Sequence, residues 1–168
     1  KGDASVSLAA VVTDTAGPAQ KVSIDRTVTS DLIRIDVLPE AGRLVRGVEN
    51  AVWVVTAYPD GRPAKTRLTI GRPTADQEIL ETSDLGLAKI KLTPTTSAFA
   101  LTLTAEDAQG VRSSVTRQLE TDKDGDGFIL RTDKCVYKCG ETAHVAILSA
   151  VQKARIFVDV VKDRRTAL

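Results

Sequence analysis

Asp122, Asp124 and Asp126 stand at alternate positions, followed by Gly127 and Phe128, with Asp133 further on. Carboxylates at loop positions 1, 3 and 5, a glycine at 6 and an acid at 12 let a chain wrap oxygen ligands around Ca²⁺. The glycine permits the sharp turn, Phe128 offers its backbone carbonyl, and Asp133 closes the shell. Two features oppose this: no helical pattern flanks the loop, and a closing Asp reaches bidentate geometry less readily than Glu. Such a site would be weak, suited to millimolar calcium. The competing reading is a solvated acidic linker, so no cofactor is required and Ca²⁺ is the one candidate.

The next reactive types are Cys135, Cys139 and the sole histidine, His144. A structural zinc takes about four ligands, and this set offers three at most. In an extended strand, residues four apart lie roughly 13 Å apart, whereas a disulfide needs Cα atoms about 4.4–6.8 Å apart. A local bridge would need a tight bend between Val136 and Lys138, where no glycine helps. Free thiols and a bulge-supported bridge both stay open, and two cysteines leave the redox compartment undecided. A serine–histidine–acid triad would have to use His144, yet no nucleophile motif accompanies it. We expect no enzyme.

The elements that carry these residues read as strands. Val6, Leu8, Ala10 and Val12 alternate with Ser5, Ser7 and Ala9, and Lys21–Val28 resumes the pattern after turn-forming residues. Leu32–Leu38, Asn50–Tyr58, Ala64–Ile70 and Gly86–Leu92 follow, then Phe99, Leu101 and Leu103. Val111–Leu119 is polar, as an exposed edge would be. Phe128–Arg131, Thr142–Leu148 and Arg155–Val161 complete the series. Asn50–Tyr58 is the strongest, and its Trp53 is expected to anchor the core. No window of a dozen residues keeps a helical period. The expected class is all-β, with immunoglobulin-like β-sandwiches in tandem.

The tandem part rests on an internal echo. Asp14-Thr15-Ala16-Gly17 and Asp107-Ala108-Gln109-Gly110 each follow an alternating strand, precede another, and lie 93 residues apart. The same shift places Gly47 on Gly140. On that period residues 1–36 are closing strands of one sandwich, and 37–121 are a complete one. Residues 122–127 are the acidic linker or calcium loop, and 128–168 open another sandwich. A lone hairpin is marginal in water, so the two ends are expected to complete one sandwich together, the alternative being pairing between chains.

Composition excludes several functions. With 42% hydrophobic and 27% charged residues the chain is not of disordered type. The 23 basic and 22 acidic residues form no basic stripe, which argues against nucleic acid as a partner. No run of 18 apolar residues occurs, so membrane insertion by a helix is not expected. The sequence has no methionine and no signal-peptide pattern, and an internal piece of a longer precursor is expected.

Leu130-Arg131-Thr132-Asp133-Lys134, Val136-Tyr137-Lys138 and Gly140-Glu141-Thr142 together resemble the "TDKPVYKPGETV" phrase that opens macroglobulin-type domains of the alpha-2-macroglobulin family. Val158–Asp163 looks like the second strand of such domains in bacterial members, and Leu38 through Ala64 is similar to the domain before it. Cys135 and Cys139 depart from the pattern, since the family commonly has proline at both. The resemblance implies a scaffold in a large secreted protease-trapping protein, extracellular or in the periplasm or cell envelope. Its partners would be neighbouring macroglobulin-like domains of the same chain and, through the full-length protein, proteases. The family's thioester motif is C-G-E-Q; here Cys139-Gly140-Glu141-Thr142 has a hydroxyl in place of the carboxamide, so no thioester is expected. The alternative function is a generic extracellular adhesion module of tandem immunoglobulin-like domains with a calcium-stiffened linker.

Overall fold

The computed structural model describes the chain apart from residues 1–3, 14–16, 18, 73–74, 123–126, 152, 154, 163 and 167–168. Among the described residues every regular element is a strand, and every paired strand is antiparallel to its neighbour. Asn50–Ala57 (β4) shows why. Val52, Val54 and Thr56 alternate inward and are fully buried, while β-branched residues on both faces suit a pleated backbone. It lies between β3 (Arg34–Pro39) and β7 (Leu87–Leu92) in a three-stranded sheet.

The facing sheet has four strands in the order β6-β5-β8-β9, namely Ala75–Glu81, Arg67–Arg72, Ala98–Glu106 and Arg112–Glu120. The inner faces of the two sheets meet in one core, with Ile35, Val52, Val54 and Ile90 against Leu68, Leu101 and Leu103. Each such side chain taken from water contributes about 1.5–3 kcal/mol. Leu, Ile, Val and Ala supply nearly all of it, as aromatics at 4% of the chain require. β9 is a sheet edge with hydroxyls on its outer face; Thr102 and Thr116 share a hydrogen bond of 3.0 Å, as do Thr104 and Ser114. Such polar dressing blunts an edge that could otherwise pair with another chain.

Two turns hold this central unit. Between β8 and β9, the Asp107 carboxylate accepts N–H bonds from Gln109 and Val111 and the hydroxyl of Tyr58. Before β7, Gly86 has φ +70°, and a Cβ there would lie 2.1 Å from the Thr56 carbonyl oxygen. Only glycine fits that position.

Four features differ from the sequence reading. Trp53 is 42% exposed, with the Lys89 ammonium 5.5 Å from its ring, and is not a core anchor. Period 2 decides this, because Val52 and Val54 occupy the inner face and Trp53 must take the outer one. β6 was not anticipated, because Ala75–Glu81 is polar at several positions. Arg155–Val160 forms no ladder; only Val161–Lys162 (β12) pairs, with Arg165–Thr166 (β13). An apolar segment needs a neighbour to become a strand, and none pairs with it among the described residues. Finally, the boundary expected after residue 36 falls inside β3, which already buries Ile33 beside it and Ile35 within it.

The ends form hairpins of their own. Ala4–Thr13 (β1) pairs with Ala19–Val28 (β2), and Phe128–Thr132 (β10) pairs with Val145–Ser149 (β11). They sit at opposite ends of β4. Asp25, Arg26 and Thr27 line a groove with Tyr58, Asp60 and Arg62, just past its last residue. Arg131 instead reaches Glu40 and Glu49, beside its first. An eight-residue strand is roughly 23 Å long, and within one chain the two ends make separate sheets.

Candidate functional site

The most elaborate polar construction lies where the central unit hands over to β10. It begins with Asn50, which is fully buried at the head of β4. Its side-chain oxygen accepts the Val45 N–H at 2.7 Å, and its amide donates to the Val45 and Val48 carbonyls. A buried amide left unpaired would cost about 1–3 kcal/mol, so these bonds fix the loop from Leu44 to Glu49. That loop offers Val45 and Val48 as a small apolar seat, and Ile129 of β10 fills it beside Leu148.

Asp122 locks the hand-over. It is 3% exposed, and its carboxylate accepts the Arg46 N–H at 2.7 Å and the Gly127 N–H at 3.3 Å. Burial works against its ionisation, but these two N–H donors and the Arg46 guanidinium outweigh it and hold the carboxyl below its ordinary range. The backbone joins in, because Leu44 donates to Glu120 and Asp122 donates back to Leu44. Arg131 completes the joint with a two-pronged bond to Glu40, at 2.8 and 2.6 Å, and a third to the Glu49 carbonyl. The Arg131 fork lowers the Glu40 pKa against the opposing effect of burial, helped by the Ala51 N–H. Gly47, at φ +74°, lets the chain pass Ala150; a Cβ there would lie 2.8 Å from the Ala150 Cβ.

The sequence-predicted ligands are distributed differently. Asp124 and Asp126 lie outside the described residues. Asp122 is engaged with the Arg46 and Gly127 amides, Phe128 begins β10, and Asp133 lies just beyond its far end. Five residues of extended strand separate Phe128 from Asp133 by roughly 16 Å, too far for one coordination shell. Among the described residues no three His, Cys, Asp or Glu side chains group as a metal would require.

Asp133 has a separate task in the loop joining β10 to β11. Its carboxylate accepts the Tyr137 hydroxyl and the His144 N–H, and its own N–H donates to the His144 carbonyl. The Tyr137 hydroxyl and the His144 amide hold its pKa low despite some burial. Glu141 accepts from the Lys138 N–H and the Lys134 ammonium, and Gly140 supplies φ +86° for the turn. The residues of the recognisable phrase are thus spent on closing this loop. Cys135 and Cys139 are both exposed and unbridged on it.

The remaining candidate is apolar. The front face of β1–β2, carrying Val6, Leu8, Val12, Val22 and Ile24, is exposed along its whole length. The front face of β10–β11 is similarly open, with Phe128 61% and Leu130 53% exposed beside a groove bordered by Ile156 to Asp159. Monomers seldom leave contiguous apolar faces uncovered without a partner for them.

Pairing registers explain these faces. β1–β2 pairs Val6 with Arg26 and Ala10 with Val22; β8–β9 pairs Phe99 with Leu119 and Leu103 with Val115, each 93 residues on. β3–β4 pairs Ile35 with Thr56 and Val37 with Val54; β10–β11 pairs Phe128 with Ser149 and Leu130 with Ile147, again 93 residues on. Gly17 and Gly110, like Gly47 and Gly140, share positive φ. The echo noticed in two turns therefore extends to four strands in register. β1–β2 repeats the closing hairpin of the central unit, and β10–β11 repeats its opening one.

Sequence reasoning missed Glu40, Asn50, Ile129 and Arg131 as a functional group. A buried polar residue opening an apolar strand was a signal for Asn50, but nothing local links Glu40 to a residue 91 positions away. No protein-family model and no curated protein matches this chain.

Proposed function

We propose that the chain is a non-catalytic scaffold: consecutive immunoglobulin-like sandwiches of macroglobulin type, belonging to a secreted, bacterial protease-trapping protein. The supporting observation is the 93-residue register shared by two pairs of hairpins, which is what stacked copies of one sandwich would produce. The joint around Asp122 and Arg131 supports it further, because a shell that transmits the consequences of cleavage needs stiff connections between modules. The loop carrying the family-like phrase is held by Asp133, Tyr137, Lys134 and Glu141, in keeping with an architectural use. Neighbouring modules of the same polypeptide would be its direct partners, and proteases would meet it through the whole molecule.

The test is the flanking polypeptide together with trapping by the intact precursor. The scaffold reading expects further repeats of about 93 residues, a cleavable bait segment and a separate thioester domain. Protease added to the precursor should stay bound after one cleavage, while this chain alone turns over no ester or peptide substrate. Repeats without a bait segment, and no retained protease, would move the assignment to an extracellular adhesion module.

A further inference from the structure

Two loops 93 residues apart are clamped in the same way. Between β3 and β4, the Glu40 N–H donates to the Ala51 carbonyl at 3.0 Å, and the Ala51 N–H donates back to the Glu40 carboxylate at 2.6 Å. Between β10 and β11, the Asp133 N–H donates to the His144 carbonyl at 3.1 Å, and the His144 N–H donates back to the Asp133 carboxylate at 2.9 Å. Both loops turn at a left-handed glycine, Gly47 at φ +74° and Gly140 at φ +86°. In both, a side chain of the loop takes the N–H two residues before that glycine; Asn50 accepts from Val45, and Glu141 accepts from Lys138.

The first loop has further partners. Leu44 N–H donates to the Glu120 carbonyl and Gly47 N–H to the Pro94 carbonyl, both at 2.9 Å, while Arg46 N–H donates to the Asp122 carboxylate at 2.7 Å. All three acceptors lie in the second half of the central unit or at its hand-over to β10. The counterparts of these donors, 93 residues on, are Tyr137, Gly140 and Cys139. Their N–H groups have no acceptor among the described residues. The bonds run through main-chain donors, so this contact survives although Val45 and Val48 give way to Lys138 and Glu141.

We propose that the loop 133–144 is the seat on which its own module is completed. The flanking polypeptide closes on it, placing acceptor oxygens against the N–H groups of Tyr137, Cys139 and Gly140, at positions 93 residues beyond Glu120, Asp122 and Pro94. Cys139 then stands where Arg46 stands at the first hand-over, and Cys135 stands where the exposed Gly42 does. One thiol belongs to a joint and the other to the surface. The inference rests on the repeated-sandwich part of the functional reading and owes nothing to protease trapping.

Thiol labelling and hydrogen exchange, on this chain and on the intact precursor, test it. Reducing conditions ensure that only burial slows labelling, and Cys135→Ser and Cys139→Ser let each thiol be read alone. In the 168-residue chain both thiols are exposed and should react with iodoacetamide at similar rates. In the precursor Cys139 should react at least about tenfold more slowly, while Cys135 stays fast. The Cys139 and Gly140 amides should exchange freely in the short chain and gain protection in the precursor, toward that of Arg46 and Gly47 in the same sample. Equal rates for the two thiols in the precursor, fast or slow, overturn the proposal, and so does free exchange at Cys139 and Gly140 there. A precursor without a further 93-residue repeat would overturn the sandwich reading and this inference with it. Loss of trapping with Cys139 still protected would count against the trapping reading alone.

Discussion

β1–β2 and β10–β11 are both two-stranded sheets at the ends of the chain, and each repeats a hairpin of the central unit in register. Only β10–β11 has a buried side chain. Ile129 on its back face enters the seat made by Val45 and Val48, Arg131 grips Glu40, and Asp122 ties down Gly127. β1–β2 has twice the strand pairing, ten residue pairs against five, and a comparable apolar face, yet no residue in it is sheltered. The difference separates two things that a ladder diagram merges. Pairing follows from local alternation and a turn, whereas docking needs a few residues far away in sequence.

The largest effect expected is on that docking. Ile129→Ala should cost about 2–5 kcal/mol of it, by lost burial and an unfilled seat. Hydrogen exchange at Phe128–Thr132 should then approach the rates of β1–β2, while the core strands β4 and β8 keep their protection. Unaltered exchange would mean that the Val45–Val48 seat is not what holds the hairpin. Next comes the Arg131–Glu40 pair, which is half-buried and two-pronged. A double-mutant cycle with Arg131→Ala and Glu40→Ala should show a coupling of about 1–3 kcal/mol, far above an ordinary surface pair.

Acid should loosen β10–β11 in the same sense. Asp122 and Glu40 titrate below their ordinary values of 3.8 and 4.5, so each stabilises the folded joint above those values. That stabilisation is lost as pH falls through the lower folded values. Proteolysis of the loop between β10 and β11 should therefore be flat above about pH 5 and rise below about pH 4, with Asp122→Asn shrinking the pH-dependent part. A profile that changes between pH 6 and 8 would implicate another group. Leu8→Ala on the open face of β1–β2 should shift melting of the central unit by no more than about 0.5 kcal/mol, because nothing is buried there. The smallest effect is expected from calcium. With Asp122 occupied by two amides and Asp133 at the far end of β10, chelation should leave the melting temperature unchanged, and a rise on adding calcium would restore the metal reading.

Much of the architecture was legible because it is local. Alternation in Val6–Val12, Asn50–Ala57 and Ala98–Glu106, punctuated by D-x-x-G turns, specifies strands and hairpins without reference to the rest of the chain. The polar composition of Arg112–Glu120 marked it as an edge, and so it is. Trp53 misled because its type says core while its position, between two inward valines, says surface; the position wins by geometry. The acidic loop is a related case. Spacing can propose a ring of ligands, but the strand from Phe128 to Thr132 sets Asp133 well away from Phe128.

By itself, then, the order of residues determined an all-β chain, its turns and a 93-residue rhythm, since backbone pleating and turn chemistry act over a few neighbours. Only the tertiary structure decided that Glu40, Asn50 and Arg131 belong together, that Asp122 serves two amides, and that one end is seated while the other is bare. Those outcomes depend on burial and on contacts between residues dozens of positions apart, and neither is written into any short stretch of sequence.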